Sequence, residues 1–320
     1  MIKLLANVLL LVGIYLALTM GTSWVAHGWE APHARLAQRV GFNGFLGLAA
    51  GVLIIAGGID LSIGSLVALA AAVLCLLMVP PPRGLGWPVV LAIAVTLLLG
   101  VSVGTLHGLI VTRLKVQPFI VTLCGLFAYR SAARWITKDS TLNLGSGFED
   151  LAAFFNGALF GVPMYLILLS GLTAVIGFFL HFTTHGRYLF ALGSNEQAAQ
   201  YSGIATSRYK ILAYVVCSTI AAGYAVLHVM RFNEVSPTNT GSFLELYGIA
   251  AAVLGGCSLR GGEGNVIGIL LGTCLITILP MFTFEIGAPQ PAEGLILGGA
   301  LLLTAIADEM LRRYYAARKK

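Results

Sequence analysis

One carboxylate, Asp60, stands between two long apolar runs, and that placement limits the folds open to this chain. From Ala50 to Ala56 the sequence reads A-G-V-L-I-I-A, and from Val67 to Met78 it reads V-A-L-A-A-A-V-L-C-L-L-M. Between them lies G-G-I-D-L-S-I-G-S-L, residues Gly57 to Leu66. An ionisable group at the edge of a membrane segment is costly and normally faces protein or a water-filled cavity. Gly57, Gly58 and Gly64 permit backbone that is not smoothly helical. This local build suits a channel or transporter. A capped helix junction at a membrane surface is the plainer alternative.

The rest of the chain repeats the apolar theme. Charged residues make up 10% of the 320 residues and hydrophobic ones 58%, with mean hydropathy +0.90. A soluble domain carries about 25% charged residues, so the chain is counted in spans of roughly 17–25 apolar residues rather than in soluble domains. Candidate spans are Leu4–Met20, Gly41–Gly58, Ile63–Val79, Trp87–Thr112, Phe119–Ile136, Tyr165–His181, Ile211–Met230, Leu244–Leu259, Val266–Phe284 and Glu293–Leu311. The expectation is an all-α polytopic membrane protein of about ten helices, a single domain over residues 1–320 with a short basic tail, 312–320. Met1-Ile-Lys3 followed by an apolar run also fits a signal peptide. The lack of an A-x-A site favours an uncleaved first helix.

Lys and Arg orient the spans. With the N-terminus inside, the inner side holds Lys3, Arg113, Lys115, Arg187, Arg208, Lys210, Arg260 and the tail residues Arg312, Arg313, Arg318, Lys319 and Lys320. The outer loops hold Arg35, Arg39, Arg83, Lys138 and Arg231, with Arg130 and Arg134 near the outer end of the fifth span. The bias places both termini in the cytoplasm. The net charge of +6 is therefore read as membrane flanks, not as a nucleic-acid surface.

Catalytic and metal-binding patterns are missing from the sequence. Cys75, Cys124, Cys217, Cys257 and Cys274 include no C-x-x-C pair, so they are read as small buried hydrophobes. His107 and His228 are lone polar residues in apolar segments, read as packed side chains. There is no G-x-x-x-x-G-K-[ST] to cradle ATP phosphates. The Gly-rich stretch Gly255–Gly264, G-G-C-S-L-R-G-G-E-G, lacks that lysine and reads as a helix-breaking connection.

A second informative stretch is the inner loop from Thr183 to Lys210. Its centre, Ser194 to Ser202, reads as a short helix capped by Ser194 or Asn195. Glu196 suits the positive helix end, and Gly203 is placed to end it. So short a helix needs something to dock on: either its own protein's membrane face or a groove on a cytosolic partner.

Four stretches carry a resemblance to a known family. Gly57–Leu66 resembles G-G-I-D-L-S-[VI]-G-S. Gln117–Cys124, Q-P-F-I-V-T-L-C, resembles P-[FA]-I-[VA]-T-L. Gly186–Gly203 resembles a loop of the form G-r-x-[VL]-[YF]-A-[IL]-G-[GS]-N-x-x-A-A-x-x-[SM]-G-I. Glu245–Gly264 resembles E-L-x-x-I-A-A-x-x-[LI]-G-G-x-x-L-x-G-G-x-G. Their order and spacing are those of permease subunits of bacterial ABC sugar importers of the ribose and xylose type, in the broader group with branched-chain amino-acid permeases. Tyr247 and Gly248, the loop from Asp139 to Val162 with its Phe148, Phe154, Phe155 and Phe160, and the stretch Met281–Pro289 depart from the family pattern.

The resemblance implies a multi-pass protein of the bacterial inner membrane that works with a second permease copy or paralogue. Two cytosolic ATP-binding subunits would bind below, and an extracytoplasmic solute-binding protein would dock above. ATP hydrolysis would lie on the partner, with no cofactor bound by this chain. Gly193, Ser194, Asn195, Glu196, Ala198, Ala199 and Gly203 would form the coupling helix that contacts the ATPase. The pathway for a sugar or related small solute would draw on Asn43, Asp60, Ser62, Ser65, Thr122 and Glu245. A branched-chain amino acid or a nucleoside is the alternative solute class. An ion-coupled secondary transporter, with Asp60 or Glu245 as ion site, is the alternative machine, and a membrane enzyme lacks any supporting residue cluster.

Overall fold

The computed structural model describes residues 30–285 and isolated positions between 287 and 310. The expected first span, Leu4–Met20, and the tail 312–320 lie outside the described residues, as does most of the last span, Glu293–Leu311. The described chain is mostly helical. Its elements are α1 (Glu30–Ile55), α2 (Ile63–Met78), α3 (Val89–Arg113), α4 (Pro118–Ile136), β1 (Leu142–Asn143), α5 (Glu149–Asn156), β2 (Ala158–Leu159), β3 (Val162–Pro163), α6 (Met164–Phe182), α7 (Thr184–Ser194), α8 (Glu196–Tyr201), α9 (Thr206–Phe232), β4 (Glu234–Val235), α10 (Leu244–Leu254) and α11 (Val266–Glu285).

Segments within α1, α3, α6 and α9 are long and apolar enough to cross a membrane, and α2, α10 and the stretch Val266–Met281 are shorter apolar helices. The expected spans that fall in the described region each meet a helix, with shifted ends. α1 begins well before the expected Gly41; its first turns carry Arg35 and Arg39, so a count of apolar residues starts later than the helix does. α10 stops at Leu254 rather than Leu259, where Gly255 and Gly256 turn the chain.

Burial sorts the helices into hub and periphery. Of the apolar stretch in α1, 83% is buried, against 28% in α3 and 22% in α6. α1 is therefore central, while α3 and α6 show broad apolar faces outward. Leu98, Leu106, Val175 and Phe178 are all more than half exposed. Apolar surface on this scale is what lipid covers, so the chain is an integral membrane protein.

α3 and α9 form the most extensive helix pair. Gly100, Gly104 and Gly108 recur every fourth residue on α3. A Cβ on Gly104 would stand 2.6 Å from Val215 Cα, and one on Gly108 2.6 Å from Ile211 Cα. The two backbones thus pack without intervening side chains, the small-residue packing that substitutes for hydrophobic driving force between membrane helices.

Two small antiparallel ladders lie on the side away from α7 and α8. β2 pairs with β3 through Ala158↔Pro163 and Leu159↔Val162. Phe160 (φ 53°) and Gly161 (φ 78°) make the turn, both in the left-handed region that a two-residue hairpin uses. β1 pairs with β4, which ties the loop after α4 to the end of α9. Helix α9, 27 residues long, spans about 40 Å and so connects the two sides.

Candidate functional site

The break after α1 is buried inside the protein. Residues 56–62 are non-helical, and α2, with 16 residues, is only about 24 Å long. Extended backbone plus a short helix makes this crossing. Such irregular backbone is stable only where it is packed in protein or lines a cavity.

Asp60 is 2% exposed, and its Oδ1 accepts hydrogen bonds from the Ser62 N–H (2.7 Å) and the Ser62 hydroxyl (2.6 Å). The carboxylate therefore satisfies donors at the free N-terminus of α2, where the helix dipole also favours negative charge. Its other oxygen, Oδ2, lies 3.6 Å from His107 Nδ1 on α3. That is too long for a hydrogen bond but close enough for electrostatic coupling in a dry interior. His107 Nε2 in turn meets the Tyr129 hydroxyl of α4 at 2.8 Å. Gly125 leaves room for this ring: a Cβ there would be 2.9 Å from His107 Nε2.

The N-terminus of α10 meets that of α2. The Glu245 carboxylate accepts a hydrogen bond from the Gly64 N–H and one from its own N–H, and it faces Arg130. Arg130 also donates to the carbonyls of Pro237 and Thr240 in the loop before α10. Gly64 and Gly241 pack backbone on backbone: a Cβ on either would collide with the other's carbonyl oxygen. Two short helices thus bring their positive ends together, and two carboxylates, Asp60 and Glu245, compensate them.

Of the sequence-derived pathway residues, Asp60, Ser62, Ser65 and Glu245 are gathered at this junction. Ser65 is 2% exposed. Thr122 is fully buried, but its hydroxyl donates to the Pro118 carbonyl one turn back (3.0 Å), so it satisfies its own helix. Asn43 lies elsewhere, on a separate cavity with His228 and Arg231. His107 was read from sequence as a packed side chain. It is packed, but its partners Asp60 and Tyr129 come from other helices and carry no sequence signal.

The inner loop folds as an elbow of two helices, α7 and α8. Asn195 caps α8, its side-chain oxygen accepting from the Ala198 N–H at 2.9 Å. The sequence left Ser194 and Asn195 open; Ser194 instead ends α7. Glu196 sits in the first turn of α8 and also pairs with Lys210 at 2.6 Å. Gly203 follows at φ 82°. Ala198 is exposed, whereas Ala199 is buried against its own chain. This separates two residues that the sequence treated alike.

The elbow is seated on two helix breaks at once. Gly193 packs so closely that a Cβ would strike the Ile55 carbonyl at the end of α1 and the Gly262 N–H. The Gly262 N–H itself donates to the Ile55 carbonyl at 2.8 Å. The Gly-rich stretch after α10 is a sequence of tight turns, with Gly256, Gly261 and Gly262 at positive φ, and joins α10 to α11. Cys75, Cys217 and Cys257 are buried as the sequence suggests, but Cys124 is exposed on α4 and Cys274 is partly so, against the reading of all five as buried.

Residues 34–305 match the sequence family described as branched-chain amino acid transport system / permease component. Among curated proteins, the chain is similar to the ribose import permease protein RbsC of Escherichia coli strain K12, 33% identical over 273 residues, covering 85% of this chain and 83% of the relative. It is similar to RbsC of Bacillus subtilis strain 168, 31% identical over 274 residues, 85% of this chain and 83% of the relative. The autoinducer 2 import system permease protein LsrD of Klebsiella pneumoniae is 31% identical over 272 residues, 84% of this chain and 80% of the relative. No solved structure matches the chain.

Proposed function

The chain belongs to the branched-chain amino acid transport system / permease component family, as an ABC permease subunit in a membrane, and from that premise we propose that it forms the import pathway for a sugar or related small polar solute. In this reading a binding protein delivers the solute from outside, a cytosolic ATPase drives the cycle, and the pathway is completed by a second permease copy or paralogue. The membrane is the bacterial inner membrane, crossed many times, with the α7–α8 elbow and both termini in the cytoplasm.

The observation that carries the energy-coupling part is the seat of Gly193. A push on the exposed face of α8 is delivered by direct backbone contact to the end of α1 and to the Gly261–Gly262 turn. Each of these breaks leads to one of the two short helices, α2 and α10, whose N-termini meet at Asp60 and Glu245. Backbone packed on backbone has little slack, so displacement is transmitted rather than absorbed. The ATPase side needs no nucleotide site here, since the phosphate-cradling motif is missing. The sugar assignment leans on relatives named for ribose and autoinducer 2 import.

The test is reconstitution of the chain with its ATPase and binding protein in proteoliposomes. ATP-dependent ribose accumulation that requires the binding protein is the expected result; accumulation without ATP would overturn the reading. The buried Asp60–His107 pair favours a second reading, an ion-coupled transporter. Under that reading uptake would collapse with a protonophore while ATP remained intact.

A further inference from the structure

A cavity of about 450 Å³ opens between α1, α9 and the loop before α10, on the side of the molecule away from the α7–α8 elbow. Its size is within the ordinary range for a small-molecule site, about 300–1,000 Å³. Arg231, at the last turn of α9, forms one wall. Its guanidinium carbon lies 4.8 Å from the Phe42 ring centre, 5.4 Å from that of Tyr165 and 5.6 Å from that of Phe232. These ring faces hold the cation in place. They do not satisfy its N–H donors: Nη1 is buried and has no hydrogen-bond partner. A second unpartnered buried nitrogen, His228 Nδ1, lines the same cavity.

Among the described residues nothing compensates the charge of this cavity. Arg39 lines it as well and repels Arg231. Among the described residues no carboxylate lies within ion-pair distance of Arg231. The other arginines on this side are treated differently: Arg134 pairs with Asp139 at 2.6 Å, and Arg130 has carbonyl acceptors and faces Glu245. A buried guanidinium nitrogen left without an acceptor is costly unless a ligand supplies one. A planar fork of donors matches a carboxylate or a phosphate with two parallel bonds. Asn43 adds a neutral donor and acceptor pair, and Phe42 and Tyr224, packed ring against ring with centres 4.5 Å apart, form an apolar wall.

We propose that this cavity is a solute subsite in which Arg231 takes the anionic group, a carboxylate or phosphate, of a small polyhydroxy solute. This assignment rests on the import reading above and narrows its solute class from sugars in general to acidic ones. The same oxyanion chemistry is also presented by a lipid headgroup, which the experiment separates from the solute.

The experiment uses the full chain in phosphatidylcholine nanodiscs, without ATPase, and saturation-transfer NMR with two probes, D-gluconate and D-ribose, and inorganic phosphate as competitor. A saturable gluconate signal that phosphate displaces is expected, with ribose at least tenfold weaker. Arg231→Gln should weaken gluconate at least tenfold, Arg231→Lys less, and Arg39→Gln several-fold, while Lys138→Gln in a different cavity leaves it unchanged. A thermal melt checks each variant's fold, and Arg39→Gln carries the test if Arg231→Gln does not fold. Equal binding of ribose and gluconate, wild-type gluconate binding by folded Arg231→Gln, unaltered binding by Arg39→Gln where Arg231→Gln is unfolded, or no anion signal at all overturns the proposal. Loss of the gluconate signal when phosphatidylglycerol is added to the discs assigns the site to lipid and also overturns it. ATP-driven uptake of gluconate and of ribose, measured separately, reports on the import reading: ribose uptake without anion binding rejects this subsite alone, and anion binding without ATP-driven uptake of either solute rejects the import reading alone.

Discussion

His107 Nδ1 lies 3.6 Å from Asp60 Oδ2, while the opposite oxygen of the same carboxylate holds the N–H and hydroxyl of Ser62. One buried side chain thus joins the start of α2 to the middle of α3, and through His107 to Tyr129 of α4.

Asp60→Asn retains an acceptor for the Ser62 donors, whereas Asp60→Leu strands both. Leaving a buried donor unpaired costs about 1–3 kcal/mol. The expected order of thermal stability for the purified chain is wild type, then Asn slightly below, then Leu well below. In reconstituted transporter, Asn should keep measurable ATP-driven uptake and Leu should not. Equal melting temperatures for Asn and Leu would show that the Ser62 bonds contribute nothing.

The two alanines of α8 should separate. Ala198 is exposed and Ala199 buried. Ala198→Trp should leave the chain folded but weaken ATPase co-purification and uptake. Ala199→Trp should lower thermal stability of the chain alone, since overpacking a buried site typically costs about 1–3 kcal/mol. Full uptake by Ala198→Trp removes this face of α8 from the ATPase contact.

Gly104→Leu should disrupt the α3–α9 pair, because its Cβ alone would stand 2.6 Å from Val215 Cα. Gly171→Leu is the matched control in α6, where a Cβ meets nothing within 4 Å. The expected result is a large drop in folded yield and melting temperature for the first and wild-type behaviour for the second. Comparable losses in both would mean that leucine is harmful in any span.

Gly241→Ala should force apart the loop before α10 and the start of α2, through a clash with the Gly64 carbonyl. Alanine also fits poorly at φ 78°. Uptake should fall at least tenfold while elbow binding to the ATPase persists, because Gly193 and its seat lie on the other side. Uptake at wild-type level would show that the α2–α10 junction tolerates separation.

The chain without its partners should bind no ATP. A labelled ATP analogue titrated against purified protein in nanodiscs checks this, and saturable binding above an empty-disc blank would contradict it.

Much of the architecture was readable from local pattern. Apolar run length located the helices, because a membrane segment must satisfy its own backbone and be long enough to cross. The short helix α8 was readable too, since capping is a contact between residues three apart: Asn195 to Ala198. Missed were the α7 turn of the elbow, the burial difference between Ala198 and Ala199, and the G-x-x-x-G-x-x-x-G stripe of α3, which was present in the sequence as a signal. The residues offered for a pathway do not form one group in the structure. Asp60, Ser62, Ser65 and Glu245 converge, Thr122 bonds to its own helix, and Asn43 belongs to the Arg231 cavity.

By itself the sequence determined the class of protein, the family pattern, the helix positions and the local caps, all of which depend on residues a few positions apart. Only tertiary structure decided that His107 faces Asp60, that Gly193 meets Ile55 and Gly262, and that Arg231 looks into a cavity with no carboxylate among its described lining residues. The physical reason is helix rotation. A helix that is apolar around most of its circumference, as α3 is, does not announce which side turns inward. That choice is made by close backbone packing at small residues and by the few polar groups that must find partners once water is gone.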